Sequence, residues 1–265
     1  MKKIFLLICI VSLFSCSNEN NSGNDPGSNT INFPQANGNY WKYSVQTNDL
    51  PLVSDSLYIN GEIQANGFTY KKYNVNDMEI ASGFYTGTLN NNGIRVANNQ
   101  YRLNGTLGVD SGLQLPINLS FNLSDFVIFD SGASTGITVD EIIGSQNQTV
   151  SGLTLNITYT LKSIAGENIA NYTSPNGTVY QNVRSHKIVV DLNITTPLGS
   201  LPISIINQPN AIESTQYYAD NIGMVYSIMS FNASVNPLAV SVLPADFPAT
   251  INFTQNETLV DYSVN

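Results

Sequence analysis

Three long stretches of this chain alternate apolar and polar residues with a period of two. Leu113, Leu115, Ile117, Leu119, Phe121 and Leu123 interleave with Gln114, Pro116, Asn118, Ser120, Asn122 and Ser124. Leu153, Leu155, Ile157, Tyr159 and Leu161 interleave with Thr154, Asn156, Thr158, Thr160 and Lys162. Ile188, Val190, Leu192 and Ile194 interleave with Lys187, Val189, Asp191 and Asn193, with Val189 as the one apolar exception. Successive side chains of a strand point to opposite faces, so such runs make strands with one dry and one wet face. Strands of this kind suit antiparallel sheets. Pro116 has no N–H to give a ladder, so its strand is an edge or begins just after it. No stretch carries a helical 3.6-residue pattern longer than two turns. The predicted fold class is therefore all-β: one large antiparallel sheet, either a curved half-barrel or a β-sandwich, with little helix.

Shorter β-rich runs, punctuated by Asn-Gly, Asp-Ser-Gly and Asn-Asn-Gly turns, fill in the rest. They cover 39–47 (with the only Trp, Trp41), 55–60, 68–75, 83–89, 93–96, 100–107, 126–129, 137–139, 217–219, 223–231 and 259–264. Pro244-Ala245-Asp246-Phe247 reads as one short helical turn. Tyr43-Ser44-Val45 and Tyr262-Ser263-Val264 echo each other in the two terminal strands, which predicts that these strands are neighbours in a closed or nearly closed sheet. Nothing divides residues 31–265, which read as a single β domain with 42% hydrophobic residues in the whole chain to build its core.

The N-terminus is of another kind. Lys2 and Lys3 precede an apolar run from Ile4 to Leu13, about ten residues long and too short to span a bilayer of roughly 30 Å. Leu13-Phe14-Ser15-Cys16 then resembles the bacterial lipobox, from which Phe14 departs, a small residue being usual there. The order of basic, apolar and lipobox parts favours this over an ordinary secretory signal or a hydrophobic helix of a cytosolic protein. The resemblance implies a signal peptide over 1–15 and a lipidated Cys16, carrying palmitate-type chains that hold the protein on a membrane. Two chains anchor stably where one does not, at roughly 0.8 kcal/mol per buried CH₂. Residues 16–30 (CSNENNSGNDPGSNT) read as lipidated Cys and flexible tether, reaching roughly 20 Å. Ser17, not Asp, follows the Cys, which under the sorting rule of such lipoproteins implies the outer membrane, with periplasmic and surface-facing orientations both open. Cys9 and Cys16 are the only cysteines. One leaves with the signal and the other is consumed by lipid, so the mature domain has no disulfide, thiolate metal site or cysteine nucleophile.

Of 10 Lys and Arg, Lys2 and Lys3 leave with the signal, so 8 face 19 acidic residues in the mature chain, a net charge of −11. The densest basic spot is Lys71-Lys72. Binding to nucleic acid requires phosphate neutralisation, and this chain lacks the means for it.

Candidate chemistry is sparse. Gly132-Ala133-Ser134-Thr135-Gly136 matches the G-x-S-x-G nucleophile elbow, with Asp140 and His186 following in hydrolase order. That elbow needs a strand, a turn and then a helix; here strands flank it, so a small-residue turn accounts for it. His186 is the only His. It shares parity with Ile188 and Val190 and so points to the dry side, as a buried histidine with a hydrogen-bond partner. A lone His without Cys or clustered carboxylates makes no zinc site. Asp140 and Glu141 are adjacent and face opposite ways. No cofactor, metal or catalytic residue is assigned, although a carboxylate pair assembled from distant strands stays open. Asp55-Ser56-Leu57 resembles the O-glycosylation site of secreted Bacteroidota proteins, which would modify Ser56. The many aromatics, among them Tyr40, Trp41, Tyr70, Tyr73, Phe84, Tyr85, Tyr101, Tyr217 and Tyr218, fit cross-strand packing first and a ligand groove or sugar-stacking platform second.

Gly38-Asn39-Tyr40-Trp41-Lys42-Tyr43, Phe68-Thr69-Tyr70-Lys71-Lys72, Ala165-Gly166-Glu167-Asn168 and the run from Tyr217 to Tyr226 (YYADNIGMVY) together resemble a family of uncharacterised Bacteroidota (flavobacterial-type) lipoproteins. The resemblance implies an antiparallel β domain of the cell envelope, a curved half-barrel in outline like the periplasmic lipid-carrier lipoproteins, and no assigned activity. Three functions follow as expectations: a non-enzymatic structural or interaction domain of the outer membrane, a binding module for a lipid or other apolar ligand, and a glycan hydrolase. The expected partners are the membrane, through Cys16, and an envelope protein, a glycan or an apolar ligand.

Overall fold

The alternating runs become strands, and all of them join one sheet. The computed structural model describes residues 31–75, 82–109, 117–199, 201–245 and 247–265. Cys16, the signal and the tether lie outside the described residues, as do Leu113, Leu115 and Pro116. The twelve strands are β1 (Tyr40–Thr47), β2 (Val53–Ala65), β3 (Phe68–Val75), β4 (Gly93–Ala97), β5 (Gln100–Val109), β6 (Leu119–Asp130), β7 (Thr138–Val150), β8 (Leu153–Thr173), β9 (Val179–Leu198), β10 (Leu201–Ala219), β11 (Gly223–Ser234) and β12 (Thr250–Ser263). One helix, α1 (Phe84–Leu89), lies between β3 and β4, and a 3-10 helix, Pro237–Val242, lies between β11 and β12.

The sheet order is β6-β5-β4-β3-β2-β1-β12-β11-β10-β9-β8-β7. Almost every strand pairs with its neighbour in sequence. β1 and β12 pair at the middle of the sheet, with Trp41 opposite Tyr262 and Tyr43 opposite Leu259. The tripeptide echo therefore does mark neighbouring strands. β6 and β7, although consecutive, form the two edges, and the sheet curls until it is nearly closed into a barrel. A single curling sheet is the half-barrel alternative, not the sandwich.

Side chains stand in for the missing ladder along this seam. The Asp140 carboxylate accepts the Val127 N–H at 2.9 Å. Gln148 Oε1 accepts the Asn118 N–H at 3.1 Å, and Gln146 Nε2 donates to the Asn118 carbonyl at 2.8 Å. Just inside, Tyr159 of β8 lies over Gly144 of β7 and meets Phe121 of β6 edge-on, with ring centroids 4.5 Å apart. Backbone edges left open template aggregation, and these contacts cover them.

The dry faces, α1 and the N-terminal segment fill the interior. Five of the six residues of α1 are buried. Phe33 enters among Phe129 and Tyr218 at centroid distances of 5.0 and 5.5 Å, and Gln35 Nε2 donates to the Tyr73 hydroxyl at 3.0 Å. Each such apolar side chain, once buried, contributes roughly 1.5–3 kcal/mol.

Several elements differ from the sequence expectation. Residues 83–89 form helix α1 instead of a strand. Their sequence lacks alternation and prefers neither state strongly, and the decisive partners are buried acceptors on distant strands. Residues 126–129 are not a separate strand but the end of β6, whose parity resets at a bulge where Asp125 takes φ +58°. Around Pro244 the Phe247 N–H donates to the Pro244 carbonyl at 3.0 Å, and Asp246 lies outside the described residues; the helical turn lies earlier, at Pro237–Val242. β7 extends far past 137–139, and its sequence does not announce this because its half-buried face carries Gly144, Gln146 and Gln148 between Ile142 and Val150. β12 begins well before Leu259 because polar Gln255 and Glu257 occupy inward positions.

Candidate functional site

The most polar spot in the interior is the start of α1. The first N–H groups of a helix have no partner within it, and here side chains from two strands supply acceptors. Asp55 of β2 accepts the Ser82 and Gly83 N–H groups at 2.9 and 2.7 Å and the Thr86 hydroxyl. Gln255 of β12 accepts the Phe84 N–H at 2.6 Å. Glu257, two residues on and on the same inward face, accepts the Tyr85 and Thr86 N–H groups at 2.5 and 3.1 Å, and Ser227 lies against it at 3.4 Å. Asp55 and Glu257 are both sealed from water. Burial is the main cause that pushes the Glu257 carboxyl up to about 7, with the Asp55 charge adding to it, while the two N–H groups pull it down. Two neighbouring acids are the raw material of a glycosidase, but that chemistry needs a cleft between them. Here their oxygens face backbone N–H groups. Gly83 could not carry a side chain, because a Cβ would fall 2.1 Å from the Glu257 carboxylate.

A second polar pair lies across β8 and β9. Ser163 Oγ and His186 Nε2 are 2.6 Å apart, both fully buried, and His186 Nδ1 has no partner. His186 therefore is the buried, hydrogen-bonded histidine its parity predicts. Burial, reinforced by the Arg184 charge, drives its pKa down to about 3. Ser134 is not its partner. The 132–136 run is a turn between β6 and β7 with Ser134 exposed, and Asp140 is engaged with Val127. Arg184 fixes that turn from inside: Nη1 donates to the Ser131 carbonyl at 2.7 Å and Nη2 to the Ala133 carbonyl. The elbow geometry is thus absent, and the buried Ser163–His186 contact has neither a third group orienting the ring nor an opening to solvent.

Nearer the surface, Asp125 ties three strands together. Arg95 grips it through Nε and Nη2, both at 2.6 Å; Arg102 Nη1 adds 3.1 Å and the Tyr70 hydroxyl 2.7 Å. Burial alone would raise this carboxyl, but the Arg95 and Tyr70 hydrogen bonds outweigh it and hold the pKa below the usual range. The motif is invisible in sequence because its members are far apart and Asp125 sits at a bulge.

The outer wall has its own features. Tyr217 and Tyr226 pair across β10 and β11, and Tyr172 of β8 stacks on Tyr217 with centroids 4.5 Å apart. The Tyr226 hydroxyl donates to Asn256 Oδ1 at 3.1 Å. Beside Asn256, a groove of about 480 Å³ is lined by Gln46, Asn48, Asp49, Asn252, Thr254 and Asn256. Ser56 lies near the start of β2, half-exposed and opposite Lys42, while its neighbour Asp55 is the buried cap of α1. Of the other aromatics singled out by sequence, Trp41, Tyr70, Tyr73, Phe84, Tyr85, Tyr101 and Tyr218 are in the core.

Among the described residues, no cluster of three His, Cys, Asp or Glu could hold a metal ion, and no helix is long and apolar enough to cross a membrane. Comparison of the chain with protein-family profiles, with curated proteins and with solved structures returns no match.

Proposed function

We propose that this chain is a non-enzymatic interaction domain of the bacterial outer membrane, tethered by a lipidated Cys16 and recognising an envelope partner with the outer wall of its sheet. The observation that carries this reading is how the interior is used. Its apolar faces pack on one another, on α1 and on Phe33, and its buried acids cap a helix, so binding is left to the outside. The lipobox-like segment and the motifs that resemble those of Bacteroidota lipoproteins support the address.

Native mass spectrometry of the full chain, gently extracted from membranes, tests the anchor and the interior together. The expected mass is the chain from Cys16 plus its acyl groups, without a further lipid, and Cys16→Ser loses both the added mass and the membrane attachment. An unchanged mass for Cys16→Ser refutes the anchor. A lipid retained by Cys16→Ser makes the protein an apolar-ligand carrier and overturns the reading. Photo-cross-linkers at Tyr217 and Ser56, on the outer wall, are expected to capture an envelope neighbour in intact cells.

A further inference from the structure

The Asn/Thr-rich groove on the outer wall has a chemistry that sheet stability does not require. Five of its six lining residues end in a carboxamide or hydroxyl and the sixth is Asp49. A carboxamide offers both donors and acceptors, the two-sided set that a sugar hydroxyl needs, and a carboxylate accepts two hydroxyls at once. The groove is also held in shape. Asn48 Oδ1 accepts the Thr254 N–H at 2.8 Å, Gln46 Nε2 donates to the Asn48 and Leu50 carbonyls at 2.9 and 2.5 Å, and Asn256 Oδ1 takes the Tyr226 hydroxyl. Among the described residues, Gln46 Oε1, the Asn48 and Asn256 NH₂ groups, the Asn252 amide and the Asp49 carboxylate have no protein partner. Preorganised polar groups of this kind lower the cost of binding.

The Tyr226–Asn256 bond joins this groove to the stacked tyrosines. Tyr217, Tyr226, Asn256 and Gln46 form a strip across β10, β11, β12 and β1, about 14 Å at roughly 4.8 Å per strand step, with Tyr172 stacked on the Tyr217 ring at its end. Tyrosine rings give an apolar face with a polar tip, which suits the C–H face and hydroxyl rim of a pyranose. No Lys or Arg lines the groove. Two outward cations farther along the sheet are committed, Lys187 to Glu213 at 2.6 Å and Lys162 to Asp191 at 2.5 Å, and Lys42 on β1 lies four residues from Gln46. Asp49 would repel a polyanion.

We propose that this strip is a binding site for a neutral oligosaccharide, laid across the strands with its hydroxyls in the amide groove and its sugar faces on the tyrosines. The proposal deepens the interaction-domain reading and rests on it.

The full chain in detergent is tested for binding to short neutral oligosaccharides of glucose, mannose and N-acetylglucosamine, with polygalacturonate as the anionic control. Asp49 and Asn252 are exposed and bear no structural hydrogen bond among the described residues, so Asp49→Ala with Asn252→Ala leaves the melting temperature unchanged. The expected result is binding to at least one neutral series, weakened about tenfold or more in the double variant, and weakened likewise in Tyr226→Ala. Absence of binding to every neutral series, preference for polygalacturonate, or equal binding by the double variant overturns the site. Cross-linking from Tyr217 and Ser56 to an envelope protein does not depend on sugar. If it persists while sugar binding is absent, the groove assignment falls and the interaction-domain reading stands; if both fail, so does that reading.

Discussion

His186 and Glu257 are buried in different parts of the barrel and titrate in opposition. For His186, burial lowers the folded-state pKa from 6.5 to about 3. As pH falls below 6.5 the unfolded chain takes up the proton and the folded one does not, so stability is fully present above 6.5 and is lost on the way down. For Glu257, burial raises the folded-state pKa from 4.5 to about 7. As pH falls below 7 the folded chain takes up the proton first, so stability is gained down to pH 4.5. At about 1.4 kcal/mol per pH unit, each effect amounts to about 3 kcal/mol between neutral pH and 4.5. They nearly cancel, so these two groups leave the wild-type protein level across that window. Asp125 and Asp191, whose carboxyls are held below the usual range, titrate beneath it. Single variants unmask each slope. Glu257→Gln is expected to lose about 3 kcal/mol of unfolding free energy from pH 6.5 to 4.5, and His186→Gln to gain about 3 kcal/mol from pH 7 to 4.5. Urea denaturation followed by the fluorescence of buried Trp41 reads both, and because the readout is a slope, a uniform loss of stability does not disturb it. Parallel pH profiles for wild type and both variants would refute the reasoning.

Two further outcomes are expected. A Gly-to-Ala change in a strand ordinarily stabilises by about 0.4–1 kcal/mol, but at Gly144 a Cβ would fall 2.3 Å from the Tyr159 hydroxyl. Gly144→Ala should therefore swing Tyr159 off Phe121 and cost about 1–2 kcal/mol in urea denaturation; a stabilised variant would show that Tyr159 does not close the seam. Asp125→Ala leaves the Arg95 and Arg102 charges without their shared carboxylate, at a cost of about 2–3 kcal/mol, the site being only partly screened. Asp125→Asn, which keeps the bulge and one acceptor, should cost less; equal losses for the two would assign the whole effect to the charge, and no loss in Asp125→Asn would assign it to the bulge.

The alternation at Leu153–Leu161 and Ile188–Ile194 by itself fixed strands, dry faces and an antiparallel sheet, because a period of two has one physical meaning. It also set the inward direction of His186, and the turn around Ser134 followed from the strands on either side. The pairing of the terminal strands was signalled by the Tyr-Ser-Val echo. What the sequence could not decide is everything that depends on distant residues meeting. α1 is a helix because Asp55, Gln255 and Glu257 cap it from two strands, an arrangement its own six residues do not encode. β7 and the first half of β12 escaped notice because one carries Gly144, Gln146 and Gln148 on its half-buried face and the other turns Gln255 and Glu257 inward, against the binary pattern. The choice between half-barrel and sandwich, the seam between two strands that are consecutive in the chain, and the strip of tyrosines and amides on the outer wall all arise from curvature and register. Those are properties of the whole sheet, set by long-range pairing, and a local stretch of sequence carries no record of them.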